Sequence, residues 1–243
     1  MNPRLFFQQG KLRVFPINTI IGGVASSIST KALLASKLGI SQSEIRRFEV
    51  IGSDIHVNIR ISYAIPAMAF INNTSITSYL DYDGKVTALS GEDFRNSTVA
   101  SVIFPKVSNV GSGYNLANTQ IVNLELPELV SSSTAQWLRD NSKMKTCLLP
   151  KAETLNPGQL FLNSILMELI SYKKLKSYGD PAMTLSGNNS GFLNLKTGCT
   201  IEVNVAMLTA NSGAVHNAFV YAKNTRGAIV NFYDDAGNYV STL

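Results

Sequence analysis

Charge is scarce in this chain. Only 15% of its 243 residues are Asp, Glu, Lys or Arg, where soluble domains usually carry roughly 25%. Asn, Ser and Thr take the missing places. Neutral amides and hydroxyls are cheaper to desolvate than ions, so such a surface suits packing against other protein and points toward a subunit of an assembly. The net charge of +5 is mild and scattered. The one dense basic run, Lys173, Lys174 and Lys176, reads as a solvated helix end rather than a nucleic-acid contact. No stretch of 18 apolar residues occurs, so no membrane-spanning helix is expected. "MNPRLFFQQGKLRVF" at the N-terminus lacks the continuous apolar core of a signal peptide, which implies a chain kept in a cytoplasm until assembly.

Other absences bear on chemistry. There is no GxGxxG, GxxxxGK[ST], GxSxG or HExxH. Cys147 and Cys199 have no CxxC partner and no histidine at ligand spacing, and read as small buried hydrophobes. The two histidines, His56 and His216, fall on separate predicted strands and read as outer-face residues. Glu92-Asp93 and Asp234-Asp235 are adjacent acidic pairs in loops, where neighbouring side chains diverge. Asp81, Asp83 and Gly84 resemble part of a calcium loop, but the remaining ligands do not follow. The Asn-x-Ser/Thr matches at Asn72, Asn73, Asn96 and Asn188 follow from composition. No residue is therefore assigned a catalytic, cofactor-binding or metal-binding role. No cofactor or small-molecule substrate is expected, and the expectation is a protein that is not an enzyme.

What is present is alternation. In "DIHVNIRISYAIP", residues 54–66, Ile55, Val57, Ile59, Ile61, Tyr63 and Ile65 take every second place, with His56, Asn58, Arg60 and Ser62 between them. That pattern describes a strand with one buried and one wet face. The wet face has no charge partner suggested nearby and reads as solvated or as packing on a neighbour. Strands are expected at "RRFEVIG", "SITSYLDY", "KVTAL", "TVASVIF" and "TQIVNLEL". Later ones fall at "AMTLS", "GFLNLK", "CTIEVNVAML", "HNAFVYAK", "GAIVNFYD" and "NYVSTL". Asp83-Gly84 marks a hairpin, with "GSD" at 52–54 a second turn. Helix is expected mainly within 24–45, with Gly39 closing a Leu-rich run and "SQSE" opening a further turn. A second helical region is expected within 131–176, where Leu160, Leu162, Ile165, Leu166, Leu169 and Ile170 follow an Asn-Pro start at near-helical spacing. No repeat of fixed period stands out, which argues against solenoids and propellers.

Many short strands, Asn/Ser/Thr in place of charge, Gly-rich turns and a helical insertion between two β parts resemble jelly-roll viral capsid proteins. The closest likeness in style is to the small double-jelly-roll major capsid proteins of membrane-containing icosahedral phages. "LGISQSEIRRFEVIGSDIHV" is similar to their early part. The resemblance implies a mainly β, antiparallel β-sandwich or jelly roll. Two barrels would span 1–130, with an N-terminal arm, and 131–243, after a helical connection; the chain is short for two, so a single elaborated barrel stays open. It further implies a virion capsid subunit, assembled in the host cytoplasm, that forms homo-oligomers, trimers above all, and contacts other capsid proteins. Arg4, Lys11 and Arg13 would face an internal membrane or genome. The alternatives are a spike or vertex protein, or a carbohydrate-binding β-sandwich with Trp137 or tyrosines as stacking platforms.

Overall fold

The computed structural model describes residues 6–8, 11–13, 15–132, 135–156, 158–179 and 191–243. Its strands are β1 (Phe6–Gln8), β2 (Lys11–Arg13), β3 (Thr19–Gly22), β4 (Ile45–Ile51), β5 (Asp54–Ile59), β6 (Tyr63–Ile65) and β7 (Ser78–Asp81). They continue as β8 (Val86–Leu89), β9 (Ser101–Ile103), β10 (Asn109–Val110), β11 (Asn123–Glu125), β12 (Ser131–Ser132) and β13 (Thr146–Leu148). The last are β14 (Thr154–Leu155), β15 (Leu169–Tyr172), β16 (Ser177–Tyr178), β17 (Thr200–Asn204), β18 (Ile229–Tyr233) and β19 (Tyr239–Thr242). Helix α1 (Lys31–Leu38) follows β3, and α2 (Asn217–Arg226) precedes β18. A mainly β protein is what the alternation led one to expect.

Pairing departs from expectation. β6, β8, β10, β12, β14 and β16 form one sheet in which every pair is parallel. In a second sheet, β11, β13, β15, β17 and β18 are parallel and β19 alone runs back. From β10 to β17 the strands alternate between the two sheets, so the backbone winds in coils and each turn lays one strand on each face; β17, β18 and β19 then follow one another in the second sheet. Jelly rolls are antiparallel, and the expected antiparallel sandwich does not describe these sheets. The expected absence of a repeat is also corrected. Asn72, Asn96, Asn118, Asp140 and Asn163 follow at intervals of 24, 22, 22 and 23 residues, all with positive φ. These lengths lie in the 20–50-residue range of repeat periods that marks solenoids. Both long sheets run across residues 130 and 131, where two barrels were expected to meet.

Each coil is built alike. A turn sends one large apolar side chain inward (Phe70, Phe94, Leu116, Leu138, Phe161 and Phe192, all buried) and the Asn or Asp two residues later turns the chain. The long strand then buries alternate residues, giving the column Leu124, Cys147, Ile170, Ile201 and Val230 through the second sheet. Proline ends that strand in three coils, at 105, 127 and 150. Phe70 stacks on Phe94 at 5.2 Å and Phe161 on Phe192 at 6.2 Å. Each such side chain is worth about 1.5–3 kcal/mol of apolar burial. Both cysteines are buried and free in this core, as expected.

The N-terminal end is closed by antiparallel pairing. β4, β5 and β3 lead into β7, and β9 joins β7 in parallel. The turn at Gly52–Ser53 links β4 to β5 as expected, with Gly52 at φ 64°. Helix α1 lies within the predicted 24–45. Thr30 caps it by accepting from the Leu33 amide, and Gly39 ends it at φ 65°. The long alternating stretch proves to be two strands in two sheets, β5 and β6, divided by Arg60–Ser62. Asp83-Gly84 joins β7 to β8, again in different sheets, so it is a corner rather than a hairpin. No helix occurs among the described residues of 131–176, which instead hold β12 to β15. The second helix is α2, in a segment expected to be a strand. The expected strand at 182–186 lies outside the described residues.

Candidate functional site

An L-residue in the left-handed region strains its backbone unless its side chain is short and polar, so Asn and Asp suit the recurring turn. Stacking the coils then brings those side chains into a row on the surface. Asn96 Nδ2 donates to Asn72 Oδ1 at 3.0 Å, and Asn118 Nδ2 to Asn96 Oδ1 at 3.0 Å. Farther along, Asn163 Nδ2 donates to Asp140 Oδ1 at 2.6 Å, and Asn194 Nδ2 to Asn163 Oδ1 at 2.7 Å. Arg226 closes the row by donating to Asn194 Oδ1 at 3.1 Å. Between Asn118 and Asp140 the ladder stops. A carboxylate has no N–H to offer, so Asn118 Oδ1 meets an acceptor where every other rung meets a donor.

A surface pocket of about 360 Å³ opens at this interruption, lined by Arg95, Asn96, Tyr114, Ala117, Asn118, Arg139 and Asp140. The arginines occupy the position just before the ladder residue in their coils. Tyr114, from the coil between, holds both: the guanidinium of Arg95 lies 4.4 Å from its ring centroid and that of Arg139 5.8 Å. Each arginine also has a carboxylate, Arg95 with Glu92 at 3.1 Å and Arg139 with Asp140 at 2.8 Å. Arg139 Nη1 further donates to Gln159 Oε1 at 2.7 Å. Cations and carboxylates balance, and the groups are fixed by three coils.

A second feature lies on the long-strand side of the same coils. Lys145 and Thr146 amides donate to Val122 O, and Glu168 and Leu169 amides to Lys145 O, continuing the ladder from coil to coil. Between β9 and β11 the only such bond is Gln120 N to Val99 O at 3.0 Å. The strands there belong to separate sheets. A groove of about 390 Å³ separates them, lined by Ile103, Pro105, Leu124, Pro127 and Leu148 among others.

The residues singled out in the sequence are placed apart. His56 is half-buried on β5. His216 is buried rather than on an outer strand face: its Nδ1 accepts from the Ala218 amide as the cap of α2, and its Nε2 meets Tyr178 O. Arg60 has the partner not foreseen, a two-pronged pair with Glu44 at 2.7 Å on each arm. That hydrogen bond holds the Glu44 carboxyl below its ordinary range. Asn58, expected on the wet face, is buried and donates to Pro16 O at 2.7 Å. Trp137 is fully buried and is not available as a stacking platform. Asp93, set aside as half of a loop pair, points inward, and burial pushes its carboxyl up to about 7. Among the described residues no three His, Cys, Asp or Glu side chains gather as a metal would require. No helix there is long and apolar enough to cross a membrane.

The pocket left one signal in the sequence: the triplet Phe/Leu-x-Asn/Asp at 70–72, 94–96, 116–118, 138–140, 161–163 and 192–194, with arginine in the middle of two. Comparison with protein-family models, curated proteins and solved structures returned no match.

Proposed function

We propose that this chain is a structural, non-enzymatic subunit that associates with copies of itself, in the manner of a virion coat or spike component. The observation that carries this reading is the apolar surface left at both ends of the solenoid. Val50 and Ile51 are about half exposed on β4, the edge strand of the N-terminal sheet, and Ile229, Tyr239 and Val240 are equally bare on β18 and β19. β19 is itself an edge strand, and an exposed apolar edge is a template for pairing with another chain. Solenoids ordinarily finish in polar caps. The neutral faces between the ends add a surface that is cheap to desolvate. An internal jelly roll is not needed for this role; a rigid coil stack presents flat faces equally well.

Light scattering at micromolar concentration tests it. The expected mass is a multiple of the monomer, a trimer by the capsid likeness, and Ile51→Lys with Val240→Lys should shift it to the monomer without loss of β structure. A wild-type monomer that salt does not change would overturn the proposal.

A further inference from the structure

The interruption in the asparagine ladder has the composition of a binding site rather than of a packing defect. Its outer wall offers acceptors, Asn118 Oδ1 and the Asp140 carboxylate, one coil apart, about 4.8 Å for adjacent strands. Its flanks offer N–H groups of Arg95 and Arg139 beyond those given to Glu92, Asp140 and Gln159. The charges of the four ionic groups cancel. An anion would compete with a carboxylate already seated on each arginine, and a cation would sit between two guanidinium groups. Of the lining side chains only Ala117 and the ring of Tyr114 are apolar, so an apolar peptide side chain finds no pocket. A neutral ligand that both donates and accepts all round it matches the set. Adjacent hydroxyls of a sugar ring do this, donating to Asn118 and Asp140 while accepting from the arginines.

We propose that the Arg95–Tyr114–Asn118–Arg139–Asp140 pocket binds a neutral saccharide unit of a glycan, with Asp140 as the residue that opens the ladder to it. Tyr114 is a positioning residue, holding both guanidinium groups in place before the ligand arrives. Such preorganisation lowers the ordering cost of binding. The site is separate from the exposed ends and does not depend on self-association.

The full chain would be titrated with glucose, galactose, mannose, N-acetylglucosamine and their β-linked disaccharides, followed by NMR of the labelled protein. At least one is expected to shift resonances of residues 95–96, 114–118 and 139–140 and few others. Asp140→Asn places an amide in the gap and lets the ladder run unbroken. It is expected to keep or raise the melting temperature and to weaken saccharide binding at least tenfold. Arg95→Gln, at a half-exposed position, is a second variant expected to weaken binding without unfolding. Failure of every sugar, full binding by Asp140→Asn, or tighter binding of inorganic phosphate than of any sugar would overturn the proposal.

Discussion

Asp93 shows how one buried side chain can set the response of the whole chain to pH. It is fully buried in the turn of its coil, accepts from the Gly91 amide at 3.1 Å and lies against the Asn115 side chain of the next coil. The adjacent Glu92 is taken by Arg95. Burial lets the folded state keep its proton to about pH 7, where the unfolded chain releases it near 3.8. The folded state therefore binds more protons in that window, and stability must fall as pH rises through it. Between pH 5 and pH 8 the loss should be on the order of 2–3 kcal/mol, at 1.36 kcal/mol per pKa unit. Urea denaturation at the two pH values measures it. Asp93→Asn should flatten the slope and be the more stable protein at pH 8. The sequence offered no hint of this, because a carboxylate beside Glu92 in a Gly-flanked loop looks like any solvated pair. Only stacking of the next coil buries it.

At the scale of elements, residues 158–176 show where sequence patterning misleads. Leu160, Leu162, Ile165, Leu166, Leu169 and Ile170 can be drawn on one helical stripe, yet the chain places them by the coil. Leu160, Leu162, Met167 and Ile170 are buried, while Ile165 and Leu166 are 52% and 40% exposed. The left-handed residues Gln159 and Asn163 rule out a helix through that turn. A helix and a coil make opposite demands here. Leu166→Lys should cost less than about 0.5 kcal/mol, as exposed changes do, whereas Met167→Lys puts an unpaired charge in the core and should unfold the protein. Thermal melts of the two variants read the difference. α1 was legible because Gly39 closes its Leu-rich run; its Thr30 cap is seen only in the structure. α2 was missed because its cap is a histidine, and its Phe219 and Val220 favour strand. The repeat itself is carried by a few scattered positions whose apolar members interchange freely, so composition hides it. The candidate pocket left only the repeated triplet as a trace for the same reason: its residues lie up to 45 positions apart, joined by the stacking of coils.

For the whole molecule, the missing rungs between β9 and β11 mark a break in one face of the stack. The neighbouring sheet does continue across it, β8 to β10 to β12. Amide hydrogen exchange should therefore be faster at those of Val102, Ile103, Leu124 and Glu125 that face the groove than in β13 and β15, each of which pairs with a strand on both sides. Equal protection of the two regions would contradict the break.

Coils that touch only their neighbours also determine how the molecule would behave under load. A sandwich resists pulling as a unit because its first and last strands share a sheet; a solenoid has no such cross-tie. Pulled by its ends, this chain should pay out one coil after another, each coil of 22 to 24 residues adding roughly 75 Å of contour length. Extension would then rise in steps set by the coil lengths, with the 31-residue coil from Asn163 to Asn194 giving the longest of them, and the β9–β11 junction should be where the stack parts.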